Sequence, residues 1–493
     1  MKRILILFLL LQFCSVFAQE ANDTTSKKSN RWDNLKIDGY VQAQYNHYYI
    51  NDTLGSTPFD FANYSGGSMV GRYSNNRYTI RRGRINMSYT KDIAMASMQF
   101  DISERGVGAR EAFIKVQDPW LKAFSVKVGL FNRPFGYEIE YSSKDRPSAE
   151  RSRAIQTLFP NERDLGAMIS FGMPKENFLH FLKFDFAMVN GNSINTETDQ
   201  FKDYIGRIKI QNPLKSEKIN FSLGASIYDG SVRHVYNVTQ NNNEKRFIFD
   251  MKEMPDNTIG FDTVSSWESG IMGAAVSRKY LGFDAQLEIK SILGKTKIYS
   301  EYISGQQPAH VHKRVDPFTW NSMSPTGPSL GISYPIYNSI LPYDPMLIAS
   351  SARFYDIFIR QFEAFTFSFN HQIWKTKHEI VVKYDWYDPN TKVSGEDIEW
   401  KMYTDEWGNP VSFNYLSVAD VKFTTLGIGW IYNLTPEVKL TVYYEKISNE
   451  KTKIMARSYD QVGQSIDLGY FPHPGFKTDI KDDVLTIRLQ YKF

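Results

Sequence analysis

Arg82 and Arg84 stand two residues apart in the run Tyr78-Thr79-Ile80-Arg81-Arg82-Gly83-Arg84. In an extended strand that spacing puts both guanidinium groups on one face. A guanidinium grips an oxyanion through paired N–H donors and keeps its charge at every physiological pH. The same two-residue spacing recurs at Arg151 and Arg153 and at Arg207 and Lys209, with Lys127 and Arg163 as single cations. Such a set points to anion binding, and along a water-filled passage to a preference for anions. Other chemistry finds little support. There is no Gly-rich phosphate loop and no G-x-S-x-G elbow. His310-Val311-His312 could offer two metal ligands, but no cysteine or carboxylate joins them at ligand spacing, so they read as an incidental loop pair. The histidines His180, His371 and His378 have no serine that sequence can place beside them. Neither an enzyme nor a bound cofactor or metal is expected.

The elements that would position these cations follow from composition and period. Tyr and Phe number 30 and 34, aromatic residues make up 15% of the 493, and mean hydropathy is −0.41. That hydropathy excludes a bundle of membrane helices, each of which needs about 20 consecutive apolar residues. The aromatic content equally excludes intrinsic disorder. Residues 1–18 read as a signal peptide: Lys2 and Arg3, then an apolar run from Ile4 to Leu11, then Val16-Phe17-Ala18. The one cysteine, Cys14, falls inside it, so the exported chain would carry no disulfide. Without Lys2 and Arg3 the charge is 56 basic against 54 acidic groups, too even for general nucleic-acid binding. Residues 19–34 form a short polar lead, and 35–493 read as one domain without repeats.

From Leu35 onward the chain alternates apolar and polar residues in segments near ten residues long, with alternately short and long connections. This predicts an all-β fold, a transmembrane antiparallel β-barrel with short periplasmic turns and long external loops. The last strand is the clearest. Leu485, Ile487, Leu489, Tyr491 and Phe493 share one face, and Thr486, Arg488, Gln490 and Lys492 the other. A terminal Phe493 on such a strand suits recognition by barrel-assembly machinery. Seventeen runs look strand-like, and closure requires an even number. Assigning Gly270 to Arg278 to an external loop keeps long connections outside and leaves about 16 strands. Turns then fall at 90–92, 118–120, 173–175, 212–214, 293–294, 374–375 and 435–436. A barrel of that size keeps an open lumen.

Lipid cannot solvate charge, so alternation also assigns faces. Arg82, Arg84, Lys127, Arg207, Lys209, Lys297, Lys383, Lys439 and Arg488 point inward. So do the acids Glu111, Asp284, Glu288, Glu301, Asp385 and Glu445. Arg81 falls on the lipid face and must sit at a rim or a bulge. Trp120, Trp374, Trp386, Trp430 and Tyr432 read as wall or interfacial girdle. The loop from Arg133 to Arg163 is expected to fold into the lumen as a constriction, with a short helix within Ser148 to Leu158 capped by Ser148. Arg151 and Arg153 would then be filter cations. The competing reading keeps this loop outside, its arginines paired with Glu138, Glu140, Asp145, Glu150 and Glu162.

Three stretches carry a family resemblance. They are the Tyr78 to Arg84 run, Val128-Gly129-Leu130-Phe131-Asn132-Arg133-Pro134-Phe135-Gly136, and Glu162-Arg163-Asp164-Leu165-Gly166. With Lys383-Tyr384-Asp385-Trp386-Tyr387-Asp388-Pro389-Asn390 and the last two strands, the chain resembles the porin O and P family along its whole exported length. The resemblance implies a trimeric sixteen-stranded porin of Gram-negative outer membranes with its third loop folded inward. Name-giving members of that family pass phosphate or polyphosphate along basic residues. The matching positions here are Arg81, Arg82, Arg84, Arg163 and Arg207. The reading is an outer-membrane porin for passive diffusion of small hydrophilic solutes, anions such as phosphate or polyphosphate among them. Its partners would be the bilayer, lipopolysaccharide, anionic solutes and two further copies of the chain. The alternative is a surface binding or adhesion barrel with little channel activity, suggested by the large loops near 230–280 and 304–355.

Overall fold

The computed structural model describes residues 34–49, 76–104, 106–194, 200–214, 216–233, 247–266, 275–309, 357–399, 401–408, 410–416, 418–453, 479 and 483–493. The expected signal peptide, most of the polar lead, His310 and His312, and much of the external loops lie outside these residues.

Alternation from Leu35 onward produces strands. The first half of the wall is β1 (Leu35–Tyr48), β2 (Asn76–Lys91), β3 (Ala94–Ser103), β4 (Gly106–Gln117), β5 (Phe124–Asn132), β6 (Arg163–Gly172), β7 (Leu182–Val189), β8 (Asp203–Gln211) and β9 (Ile219–Arg233). Then come β10 (Phe247–Glu253) and β11 (Ile259–Ser266), followed by β12 (Ala275–Ser291), β13 (Gly294–Ala309), β14 (Ile357–Ile373) and β15 (His378–Asp388). The chain ends with β16 (Met402–Thr404), β17 (Pro410–Phe413), β18 (Phe423–Asn433), β19 (Val438–Asn449) and β20 (Val484–Lys492).

Sixteen of these close a ring of antiparallel neighbours. Strand β9 pairs directly with β12, β15 with β18, and β1 with both β2 and β20. The remaining four are external hairpins. β10–β11 hooks onto the outer end of β14 by a short parallel contact, Ile248 to Ile357 and Phe249 to Phe358, and β16–β17 stands alone. One boundary differs from expectation. Ala275 to Arg278 is the start of β12, paired with Arg233 to Gly230 of β9, and not loop. β9 and β12 are 15 and 17 residues long, and their ladder continues past the height an apolar belt requires. The ring still counts sixteen.

The faces follow the alternation. In β20, Leu489 and Tyr491 are half exposed outward while Gln490 is wholly buried inward. Val126, Val128, Ile208 and Ile210 are likewise exposed on the outer surface. So continuous an apolar belt is a surface for a bilayer. Short turns join the strands at the end where β1 begins and β20 ends. Asp92, Asn212 and Lys375 adopt positive φ there, and Gly294 (φ 136°) leaves no room for a Cβ, which would meet the Gln372 carbonyl. At the opposite end the hairpins and residues 389–422 pack a second apolar cluster of Phe249, Phe261, Phe358, Tyr415, Leu416 and Val421 over the barrel mouth. The buried Arg360–Asp420 pair (2.7 Å) ties this cap to β14.

Two bulges break the period within the ring. The β1–β2 register shifts between Gln42 and Ala43, opposite Arg81, and the β3–β4 register shifts opposite Arg110. An extra residue re-aims its side chain. Arg81 accordingly reaches the interior beside Arg82, and both bind the same carboxylate.

Candidate functional site: the lumen and its inserted loop

Residues 133–162 leave β5, fold into the lumen and re-enter the wall at β6. They carry two short helices, α1 (Tyr137–Glu140) and α2 (Arg153–Leu158). The cap of α2 is Ser152, whose Oγ accepts from Ile155 N at 3.4 Å, and not the expected Ser148, whose Oγ donates to Glu150 O. The helix starts later because Glu150 and Arg151 are committed to anchoring contacts that helical geometry would break.

One side of the loop is apolar. Phe135, Ile139, Ile155, Leu158 and Phe159 pack against Met168, Ala187, Val189, Ile205, Tyr228 and Tyr280 of the wall. Those wall residues occupy inward positions, where a hydrated lumen would carry polar groups.

The other side is held by two carboxylates, Glu138 wholly buried and Glu150 mostly enclosed. Glu138 accepts from the Ser152 backbone N–H (2.9 Å), from Ser152 Oγ, and from Tyr299 OH, with Lys383 Nζ at 3.4 Å. Glu150 gathers four guanidinium groups: Arg81 (2.8 Å), Arg82 (3.0 Å), Arg488 (2.9 Å) and Arg146 (3.8 Å). Burial by itself would raise the Glu150 carboxyl, but Arg81, Arg82 and Arg488 outweigh it and hold the group well below the usual carboxylate range. Glu138 is lowered in the same way, burial being overcome by Lys383 and the Ser152 hydrogen bond.

Contacts with the wall run almost around the ring. Gly136 N donates to Ser226 Oγ of β9, and Tyr137 N and Glu138 N donate to Glu301 of β13. Arg153 N donates to Asp385 of β15. Lys439 of β19 and Gln490 of β20 both donate to Lys144 O, and Arg488 donates to Ala149 O at 2.7 Å. Tyr40 OH of β1 lies 2.7 Å from Ser143 Oγ, which also accepts from Arg84 of β2. The loop crosses the lumen instead of lining one side of it.

The expected cations therefore fall into two groups. Arg82 and Arg84 point inward, the first onto Glu150 and Gln42, the second onto Ser143 and Asp101. Arg163 pairs with Glu111 (3.1 Å) and Glu162 (2.5 Å), and Arg207 with Asp284 (2.8 Å) and Glu140 (3.2 Å). Arg151 and Arg153, expected as filter cations, have a different job. Arg151 donates to the carbonyls of Glu138, Ile139 and Tyr141 and bridges to Glu162, while Arg153 lies over the Phe423 ring at 4.8 Å. Both are buried; Arg151 holds the loop together and Arg153 docks it on β15 and β18. Inward folding and internal pairing, read from sequence as alternatives, are both true of this loop.

Lys127 and Lys209 belong to the second group. Lys127 stands directly opposite Lys115, and Lys209 directly opposite Lys183, on the inner wall of β4, β5, β7 and β8. Lys115 lies within electrostatic reach of both Lys127 and Lys183. Lys209 binds Glu140 (3.0 Å), but among the described residues no carboxylate comes within 4.0 Å of Lys115, Lys127 or Lys183. Like charges opposite one another destabilise a sheet by about 0.2–1 kcal/mol. Residues that no spacing argument singled out include Arg146, Arg110, Lys115 and Lys183. The last two could have been found by applying the inward alternation to every lysine.

On the outer surface His371 Nδ1 lies 2.9 Å from Thr296 Oγ1, and His378 stacks on Trp430 and packs at a tilt against Tyr432. Trp120, Trp374 and Trp430 are exposed, as a girdle requires.

No protein-family model matches the chain, and no curated protein matches it. Solved structures similar to it include the outer membrane channel DcaP of Acinetobacter baumannii, with 10% identity over 93% of this chain and 97% of that one and a TM-score of 0.46. OmpT, an outer membrane protein of Vibrio cholerae, has 6% identity over 94% and 99%, TM-score 0.42. A mutant of the Rh. blastica porin has 9% identity over 93% and 100%, TM-score 0.40.

Proposed function

We propose that the protein is an outer-membrane porin through which small hydrophilic solutes, anions preferred, diffuse passively. The observation that carries the anion preference is the lysine wall of Lys115, Lys127 and Lys183 facing the lumen, which meets no carboxylate within 4.0 Å among the described residues. Acids and bases balance along the sequence, yet inward acids such as Glu111, Asp284 and Glu288 are each bound to a cation, and among the described residues these lysines are not bound to an acid. Fixed ammonium groups raise the local anion concentration, and phosphate-type oxyanions gain most because their charge is highest. Resemblance to the porin O and P family adds phosphate or polyphosphate as solutes and a homotrimer as assembly. Export by a cleaved signal peptide, insertion through recognition of Phe493, and lipopolysaccharide as outer-leaflet neighbour belong to the same reading. Reversal potentials across a planar bilayer in a salt gradient test it; cation preference would sink it.

A second reading is a surface binding barrel. Its support is the external cap, where residues 247–266 and 389–422 hold ten carboxylates against four lysines, and Trp407 stands exposed between two hairpin strands. An acidic mouth opposes anion entry. Open-channel conductance of the purified protein separates the two, because a plugged binding barrel conducts little.

A further inference from the structure

The cluster around Glu150 is unbalanced. Arg81, Arg82, Arg146 and Arg488 converge on one carboxylate. Arg146 has its side chain wholly buried, and its Nε and Nη1 have no acceptor. Arg82 and Arg488 are nearly as enclosed, whereas about a third of Arg81 remains exposed and opens a way in. The neighbouring segment is held by more cations, which donate to its carbonyls: Lys439 to Lys144 O, Arg488 to Ala149 O and Lys383 to Glu150 O. No other carboxylate in this segment reaches the cluster; Asp145 binds Lys492. Four guanidinium groups around two oxygens form an oxyanion site already filled by the chain itself.

We propose that Glu150 is an internal occupant of this site, and that a multivalent oxyanion displaces it and frees residues 143–150 from the β2–β20 wall. The inference rests on the anion-porin reading and adds regulation to it: the permeating solute loosens its own constriction. A tethered carboxylate competes at an effective concentration in the mM range or above. A monovalent anion replaces one charge by one and gains nothing. An oxyanion of two or more charges also satisfies the empty N–H groups of Arg146, so it wins at mM concentrations. Acid does not work this latch, because the same guanidinium groups keep Glu150 ionised.

The test is hydrogen exchange of the 143–150 amides in the full-length purified protein, titrated with pyrophosphate against chloride at constant ionic strength. Exchange is expected to rise about tenfold with pyrophosphate and to stay flat with chloride. Glu150→Gln should exchange fast without any anion and ignore pyrophosphate. Should that variant fail to fold, Glu150→Asp serves, with a lower pyrophosphate midpoint expected. Unchanged or slower exchange of the wild-type loop in pyrophosphate overturns the latch. Reversal potentials on the same preparation separate the two claims: an anion-preferring channel whose loop does not respond loses the latch alone, and a cation-preferring channel loses the porin reading as well.

Discussion

The lumen carries two cationic regions that a sequence cannot tell apart. At loop height are arginines: Arg82, Arg84, Arg151, Arg163 and Arg207, all nearly buried and all bound to carboxylates or carbonyls. Nearer the turns are lysines: Lys115, Lys127 and Lys183, at least partly exposed and bound to no carboxylate among the described residues. A buried charge survives only when paired, and the pair then has little field left for a solute. An exposed ammonium keeps its field, weakened by water but available. On the proposed reading the arginines are scaffold, and the lysines are the part of the wall that would act on a passing solute.

The sharpest way to break this contrast is to remove a partner from each side. Glu138→Gln leaves Lys383 and the Ser152 N–H facing a neutral group, and breaking a buried pair costs about 3–5 kcal/mol. The expected result is roughly 10²-fold faster hydrogen exchange across residues 135–158, with the barrel ladder unchanged. The triple variant Lys115→Gln, Lys127→Gln, Lys183→Gln should do the reverse. Its loop exchanges as before, its thermal stability holds or rises slightly as like-charge contacts vanish, and its anion preference in reversal-potential measurements falls severalfold. If Arg82→Gln lowers anion preference as much as the lysine triple does, the division into scaffold and solute-facing cations is wrong.

Salt sharpens the same comparison at smaller amplitude. The Debye length shrinks from about 10 Å at 0.1 M to 3 Å at 1 M, so a field from exposed lysines decays while buried pairs are hardly screened. Anion preference should decline steadily over that range, and loop exchange should not. A preference that persists at 1 M would place the selecting charges in the dry arginine cluster.

Much of the fold was legible because a strand reports its two faces with a period of two. The C-terminal strand shows this, with Gln490 buried and Leu489 exposed as its letters imply. The turns and the inward aim of Arg82, Lys127 and Arg207 followed from that one rule, whereas the count of sixteen also needed closure parity, because alternation alone offers seventeen runs. What it missed, it missed for physical reasons. A bulge inserts a residue without changing composition, so alternation places Arg81 in lipid when it lies beside Arg82. Pairing across more than 300 positions, as between Arg488 and Glu150, leaves no local trace. The external hairpins of Phe247–Glu253 and Met402–Thr404 are short and packed among themselves, so no long period announces them. Inward apolar residues were the readable clue that passed unused: Ala187, Val189 and Ile205 break the polar lining where the loop docks.

The smallest expected effect concerns acid, and it follows from the two carboxylates that hold the loop. Both Glu138 and Glu150 have folded-state pKa values depressed below the ordinary carboxylate value, once the arginines and Lys383 overcome burial. A depressed carboxylate contributes stability that is fully present above its unfolded pKa of about 4.3 and is lost only as pH falls through the lower, folded one. Between pH 7 and pH 5 the loop should stay fastened, and single-channel conductance at fixed salt should change little. Loosening should begin only in stronger acid, as protonation removes the charge that the guanidinium groups face. A conductance step near pH 6 would mean that Glu138 and Glu150 do not govern the attachment of the loop, and would shift that role to Glu301 and Asp385, which accept from its backbone N–H groups.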